Sequence, residues 1–565
     1  MKKVTKRLIA ISLTLLLMIS LFSACAPKDG DKSDDQVKEP GTETQDKEKG
    51  GDVSDKAETR TIKIMGPESS NPYSKFEDRE NYVAWQEFKK LFEAKGLEPE
   101  FEIVATDQYE TTLQTRMASA VDLPDFLNVS QLDDVTILNY VDMGSILAIN
   151  KIIDEYSDGT AKKFYAEGGK GERSNILNTA EDGNVYWISQ IQATTYDGKP
   201  GSTCMGINVR ADWLEALDMD VPETADDFYN MLKEFREKDV NDNGQEDEIL
   251  ALGSVSFTNG IGQWFGLVSG ISSFVIEEGK VTSPWYQDGI KEYFAFMNKL
   301  ATEGLMDTSL LGAPGDQLDK VVAENKAAAL YTYAMQTWFE PSTGIEDARY
   351  LPIGPLKAVD GVEPVNAIEP PFLSYNRWAF TKECEDLEAA AALLDILSSE
   401  EYEILTQWGV EGESHEIVDG ERQLLPIALN DAWEQAAEEG RTIGDFLWAN
   451  GSMFPKRRFV PMENEIGVVP EYKAEYQRAI IDYHPTVPLG TANYFPVPTI
   501  EQVERKLEII TDLTTQSEEL ATGLILGQLS LDDWDAHIDS LKALGLDDLL
   551  EIDQSLLDRF NEQLN

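Results

Sequence analysis

The densest run of chemically capable side chains is Asp239-Val240-Asn241-Asp242-Asn243-Gly244-Gln245-Glu246-Asp247-Glu248. Oxygen-bearing side chains recur at positions 239, 241, 243 and 247, and Gly244 permits the sharp turn that wraps such a segment around one ion. Calcium takes six to eight hard oxygen ligands, and this pattern offers them from Asp239, Asn241, Asn243, Asp247 and Glu248, with the Gln245 carbonyl. The twelfth position is Leu250 where a regular EF-hand has glutamate, so Glu248 is the expected substitute. The competing reading is an Asx-rich turn that holds no ion. A bound ion would be structural, because it closes a helix-to-strand connection.

The second set is aromatic, with 11 Trp and 20 Tyr. Sugars present flat C–H faces rimmed by hydroxyls, so carbohydrate clefts stack them on Trp and Tyr and orient them with polar edges. Trp187, Trp264, Trp285, Trp338, Trp378 and Trp448 lie near turn-forming residues, although each taken alone is more often a core residue. Trp85, Trp213 and Trp534 sit in helical patterns and are expected to be structural. Catalytic signals are weak: GxSxG, HExxH and GxxxxGK[ST] are all missing, and carboxylate pairs cannot be picked out among 103 acids.

The elements that must position these residues follow from hydrophobic periodicity. Residues 61–65 alternate as a strand, 81–95 carry Tyr82, Trp85, Phe88, Leu91 and Phe92 on one helical face, and Gly96 stops that helix. Strands at 101–104 and 125–129 flank a helix at 109–120, and such βα alternation predicts a parallel sheet with helices on both faces. Thr224, with Asp227 three residues on, caps a helix striped by Phe228, Leu232 and Phe235 that leads into the acidic loop. Beyond residue 380 helices dominate: Asp386 caps 387–397, Ser398-x-x-Glu401 reads as a capping box, and 501–525 and 531–563 read as helical.

The 565 residues, 42% apolar and 27% charged, describe a large soluble body of two to four domains or lobes. A net charge of −55 repels phosphate backbones and anionic membrane surfaces, so a nucleic-acid role is excluded. Three cysteines and three histidines exclude a disulfide scaffold and a cysteine- or histidine-rich metal centre. Cys204 and Cys384 could pair, but two buried free thiols are the simpler reading.

The N-terminus sets the compartment. Lys2, Lys3, Lys6 and Arg7 precede the apolar run 8–22, which is short for a membrane span and ends in small residues and a cysteine. Phe22-Ser23-Ala24-Cys25 resembles the bacterial lipobox, with Phe22 in place of the usual aliphatic residue. Residues 1–24 are then a signal peptide, and Cys25 becomes the acylated N-terminus; a plain secreted protein cut near Ala24 is the alternative. Residues 26–59 contain no aromatic and few apolar side chains, so they form a solvated tether between the anchor and the folded body.

Several segments together resemble extracellular solute-binding protein family 1, the substrate receptors of ABC sugar importers, in its long lipoprotein branch with the alginate-oligosaccharide-binding proteins. Besides Cys25, the resemblance rests on Ala118-Ser119-Ala120-Val121-Asp122-Leu123-Pro124-Asp125, similar to the family's ASGDLPD with Val121 displacing its glycine. Asn208-Val209-Arg210-Ala211-Asp212-Trp213-Leu214, Trp378-Ala379-Phe380-Thr381-Lys382, the helix 387–398 and Gly409-Val410-Glu411-Gly412 match in order. Leu531-Asp532-Asp533-Trp534 and Leu544-Gly545-Leu546 complete the series across residues 60–565.

The resemblance implies an α/β, two-lobed periplasmic-binding-protein-like type II fold with a helix-rich C-terminal part, closing on its ligand by hinge bending. Lobe 1 is expected over 60–190 with part of 379–440, and lobe 2 over 191–378 with part of 441–565. Chain crossings are expected near 185–208 and 378–381. The branch carries a calcium loop of this spacing, so Asp239, Asn241, Asn243, Gln245, Asp247 and Glu248 are its implied ligands. The crossings raise Trp187 and Trp378 as ligand platforms, with Tyr375 and Arg377 beside them and Trp264 and Trp338 following. Arg210 and Arg377 are the clearest nearby cations, which favours a neutral oligosaccharide, with a uronic-acid oligomer second and a peptide a minor alternative. The expected protein is a monomeric, non-enzymatic receptor on the extracellular face of the membrane. It would touch the membrane only through its lipid and deliver sugar to ABC permease transmembrane subunits. The alternatives are a cell-surface glycan-degrading hydrolase or lyase, and an adhesion or sensor protein of the same fold.

Overall fold

Alternating side chains decide which residues of the strands enter which core. In the computed structural model, which describes residues 59–564 apart from 69–75, 194, 197–198, 201–204, 253–259, 269, 312–314, 334–344, 346–347, 369–372, 426–453, 460–485 and 489–494, two larger sheets carry the fold. The chain divides into two units, Met1–Lys56 and Ala57–Asn565, and the first, with Cys25, lies outside the described residues. The strands of the two sheets are β1 (Arg60–Pro67), β2 (Leu97–Val104), β3 (Phe126–Asn128), β4 (Ile188–Gln192), β5 (Met205–Arg210), β6 (Ile249–Ala251), β7 (Ala327–Tyr333), β8 (Tyr350–Ile353), β9 (Leu373–Phe380) and β10 (Arg457–Arg458). The first sheet has the order β10-β4-β9-β3-β1-β2, and the second β8-β5-β7-β6.

The first sheet is mixed where a parallel one was expected. Strands β1, β2 and β3 are joined through helices and run parallel, but β9 lies antiparallel between β3 and β4. Among the described residues between β8 and β9 there is no helix, so no helical crossover sets its direction. Strand β9 belongs to the first sheet from Leu373 onward.

The helices used below are α1 (Val83–Ala94), α2 (Thr106–Ser119), α3 (Asp134–Asp142), α4 (Ala225–Glu237), α5 (Ile290–Thr302), α6 (Leu387–Leu397), α7 (Glu400–Gln407), α8 (Ile500–Ile525), α9 (Trp534–Ala543) and α10 (Leu546–Leu564). One face of the first sheet sends Ile62, Ile64, Phe126, Trp378 and Phe380 against Trp85, Phe88 and Phe92 of α1 and the Ala-Leu face of α6. The next residue along each strand points to the opposite face, so Met65, Leu127 and Ala379 meet Tyr109, Leu113 and Met117 of α2 and Ile137 of α3. In the second sheet Ile207, Val209 and Leu250 pack on Phe228, Leu232 and Phe235 of α4 and on α5, α8 and α9. Phe560 of α10 meanwhile packs with Phe164 and Ile191 beside the first sheet. The C-terminal helices thus serve both cores.

Local signals account for most helix ends. Thr224 and Asp227 form the reciprocal capping box of α4, and the Asp386 carboxylate accepts the Ala389 N–H at the start of α6. The start of α7 is shifted by one: Ser399, not Ser398, is the cap, and it accepts the Tyr402 N–H. The expected helix 531–563 is a 3-10 turn followed by α9 and α10, broken where Gly545 takes φ of 100°, a conformation other residues resist.

Candidate functional site

A cavity of about 390 Å³ opens where β3 ends, β9 bulges and the C-terminal helices approach. Its wall combines neutral polar groups (Ser130, Asn178, Ser189, Ser374, Asn376) with Trp187, Phe495 and Pro496, and with Asp134, Arg377 and Lys506. The register of β9 slips between Tyr375 and Arg377, and Asn376 sits in that bulge at φ of 57°. Asparagine tolerates the left-handed region better than most residues, which explains its use there. Its Oδ1 accepts from Asn128 Nδ2 at 2.6 Å and from Ser130 Oγ at 3.1 Å, so the bulge is fixed to the end of β3.

Both cations among the described residues of the wall are already engaged. Arg377 donates through Nη1 to Asp134 Oδ1 at 2.6 Å and through Nη2 to the Leu132 carbonyl at 3.3 Å. Its guanidinium also lies 5.5 Å from the Trp187 ring centroid. Lys506, near the start of α8, donates to Asp553 Oδ1 of α10 at 2.5 Å. Burial pushes the Asp553 carboxyl above the usual carboxylate range, and Lys506 opposes that rise.

The expected aromatic platforms separate into different fates. Trp187 lines the cavity, though it is 3% exposed, and its Nε1–H donates to Asn178 Oδ1 at 2.9 Å. Trp378 is fully buried on the other side of the sheet, stacked at 5.3 Å on Phe126 and at 6.0 Å on Phe454. Trp264 is buried in the second core, edge-on to Phe228 at 4.9 Å. Neither leaves a ring face for a ligand, so the expectation for these two is corrected to core residues. The side chain of Tyr375 and all of Trp338 and Trp448 lie outside the described residues. Arg210, expected as a nearby cation, is 2% exposed and paired with Asp212 in the second sheet. Trp85, Trp213 and Trp534 are buried as expected, and Cys384 is a free buried thiol whose pKa burial raises to about 12. Cys204 lies outside the described residues.

Sequence reasoning missed Ser130, Asp134, Asn178, Ser189, Asn376 and Lys506. Asn376 alone carried a local signal, a turn-favouring amide inside an apolar strand. The others come together only through tertiary contacts.

The acidic loop joins α4 to β6. The Asp239 carboxylate accepts the backbone N–H groups of Asn243 and Gly244, and Asn241 Oδ1 and Asn243 Oδ1 accept those of Asn243 and Gln245. Asp239, Asp242 and Gly244 all have positive φ, which gives the chain its tight wrap. Asp247 Oδ1 accepts from the side-chain amides of Asn241 and Asn243, while its buried Oδ2 has no hydrogen-bond partner. Lys326 Nζ stands 3.4 Å from that oxygen. Burial alone would raise the Asp247 pKa, but these donors hold it below the ordinary range. Glu248 is fully buried, its oxygens accept the N–H groups of Asn241 and Asp247, and burial raises its pKa. Among the described residues no three carboxylate, histidine or cysteine side chains converge on one point as placed. The buried Asp247 oxygen, which meets only the Lys326 ammonium at 3.4 Å, the buried Glu248 carboxylate and an all-oxygen donor set nonetheless fit a hard divalent cation.

Comparison with known proteins places these features in context. The model of the bacterial extracellular solute-binding protein family matches residues 77–404, more than half of the chain. The fructooligosaccharide ABC transporter substrate-binding protein FusA of Streptococcus pneumoniae is 24% identical over 532 residues, 90% of this chain and 92% of FusA. FusA solved with kestose superposes with a TM-score of 0.64 at 21% identity, over 89% of this chain and 100% of that one. FusA has also been solved as an EF-hand mutant with fructo-nystose. An HMO-binding, ABC-transporter-associated solute-binding protein of Bifidobacterium longum infantis gives 0.66 at 19% identity, over 89% and 99%. The alginate-binding protein AlgQ2, solved without calcium ion, gives 0.60 at 20% identity, over 89% and 98%. These solved structures are two-lobed solute-binding proteins, and the mixed α/β architecture described above is of their class.

Proposed function

The chain belongs to the bacterial extracellular solute-binding protein family, and from that premise we propose that it is the substrate-binding component of an ABC importer, taking up a neutral oligosaccharide. The carrying observation is the wall of the 390 Å³ cavity, which holds hydroxyls and amides together with the rings of Trp187 and Phe495. Apolar rings and pyrrolidine edges suit the C–H faces of a sugar, and the amides and hydroxyls suit its rim. Because Arg377 and Lys506 are each matched by an acid, the wall offers no spare positive charge from these two groups to a uronate. FusA, named for fructooligosaccharides, supports the same class of ligand.

In this reading the first sheet anchors lobe 1 and the second lobe 2, with the C-terminal helices meeting both beside the cavity. Hinge closure would seal the sugar between them, and a transmembrane permease would receive it. Cys25 carries the lipid, residues 26–59 hold the body off the membrane, and the protein works as a monomer on the extracellular face. Calcium would be held by Asp239, Asn241, Asn243, Gln245, Asp247 and Glu248 and would fix the junction of α4 and β6, and none of these residues is in the described lining of the cavity.

A thermal-shift screen of purified protein against neutral, acidic and amino oligosaccharides tests the proposal. Stabilisation by a neutral oligosaccharide and not by its uronic counterpart is expected. Turnover of the stabilising glycan by pure protein would contradict a binding role.

A further inference from the structure

One cation in the wall of the cavity, Lys506, is held by a carboxylate outside the described lining, and that geometry bears on which sugars are refused. Lys506 lies one turn and a half into α8, with its side chain 29% exposed, and its ammonium stands 5.7 Å from the Phe495 ring at the cavity. Its partner Asp553 is on α10, and that side chain is only 4% exposed. Lys506 and Asp553 together line a second cavity of about 310 Å³, whose wall includes Trp285, Leu513, Ser517 and Leu549, while Lys506 alone of the two lines the first. Lys506 therefore forms a partition, touching the first cavity on one side and tied to a buried carboxylate on the other.

The other pair in the wall differs. Asp134, which holds Arg377, is 47% exposed, so water and salt screen it. Asp553 is far less exposed to both, so its charge on Lys506 is screened less than that of Asp134 on Arg377. A ligand carboxylate approaching Lys506 would meet a cation already neutralised, and would itself lie near a buried negative charge.

We infer that Asp553 is a specificity-determining residue: by holding the Lys506 ammonium from behind the wall, it makes the pocket refuse acidic oligosaccharides and accept uncharged ones. Asp553 acts through Lys506 and touches no sugar, so it is a positioning residue. The inference rests on the proposed reading of the 390 Å³ cavity as a sugar site.

The test is calorimetric titration of wild type, Asp553→Asn, Asp553→Glu and Asp553→Asn/Lys506→Met with uronate trimers (galacturonate, mannuronate, guluronate) and their fully methyl-esterified forms. Asp553→Asn keeps the shape and a hydrogen-bond acceptor but removes the charge. It should raise the ratio of acidic to esterified affinity by on the order of tenfold, as expected for freeing one close cation in a partly screened site. Asp553→Glu should retain the wild-type ratio, and Lys506→Met in the double variant should abolish the gain. Thermal unfolding of each variant checks that it is folded. A ratio unchanged in folded Asp553→Asn, including no measurable uronate binding by either protein, overturns the inference. Failure of the sugar reading itself shows separately, as wild-type protein that binds none of a panel of uncharged oligosaccharides.

Discussion

Replacing Trp378 by alanine separates a core tryptophan from a ligand platform. The indole is fully buried between Phe126 and Phe454, stacked on both within 25° of parallel, which removes nearly the whole side chain from water. Burial of roughly 200 Å² of aromatic surface at about 25 cal/mol per Å² is worth about 5 kcal/mol, and truncations of this kind cost about 3–5 kcal/mol. A cooperative body of roughly 500 residues has an unfolding entropy near 1 kcal/mol/K, so the melting temperature should fall by about 3–5 °C. Affinity for the sugar, measured by calorimetry well below that temperature, should stay within about twofold, because the side chain faces α1 and α6 on the far side of the sheet. Trp187→Ala should instead weaken binding by about 1–3 kcal/mol, since that ring lines the cavity. It should also cost stability, since the ring is almost fully covered. If Trp378→Ala lost sugar affinity tenfold with an unchanged melting temperature, the assignment of Trp378 to the core would be wrong.

Removing metal with chelator should lower the melting temperature, because ligand at 100 times its dissociation constant stabilises a folded protein by about 2.7 kcal/mol. Asp247→Ala should abolish the sensitivity, and an unchanged melting temperature after verified metal removal would refute the site. Exported Cys25→Ser protein should appear in the soluble fraction while wild type partitions with membranes; equal partitioning would refute the anchor. His415 is 2% exposed and its Nδ1 faces the Trp408 carbonyl at 2.9 Å, and burial lowers its pKa below 6.5. Its contribution to stability is therefore present above about pH 6.5 and is lost as pH falls from there toward the lower folded-state value, because the unfolded chain takes up its proton first. Subtracting the melting curve of His415→Asn from that of wild type across pH 7.5 to 5 should isolate that loss, and parallel curves would refute it.

How far the sequence foretold the structure depended on whether the signal was local. The Thr224–Asp227 box, the Asp386 cap and the strand at residues 60–67 are set by neighbours a few positions away, and they were legible. Alternation along β9, and not proximity to a chain crossing, sets where Trp378 points. In Trp378-Ala379-Phe380 the two rings share a face, and that face looks into the core holding Phe126 and α1. Trp264 sits in a short helical turn whose burial depends on Phe228, 36 residues earlier in the chain, and nothing nearby announces it. The cavity is harder still, because Ser130 and Asn178 lie in turns, Asn376 in β9 and Lys506 in α8, far apart along the chain. None of these residue types is unusual alone. Charge could not reveal the pairing of Lys506 either, since the choice of Asp553 among 103 acids is made by the packing of α8 on α10.

A neutral oligosaccharide is proposed to occupy the cavity beside Trp187. Calorimetric titration of wild type and Asn178→Ala with the neutral oligosaccharide that most raises the melting temperature tests it most directly. Asn178 touches the cavity and fixes the Trp187 indole, so the account predicts one sugar per wild-type chain and at least tenfold weaker binding by folded Asn178→Ala. Equal affinity for the two proteins would contradict it and place the sugar elsewhere.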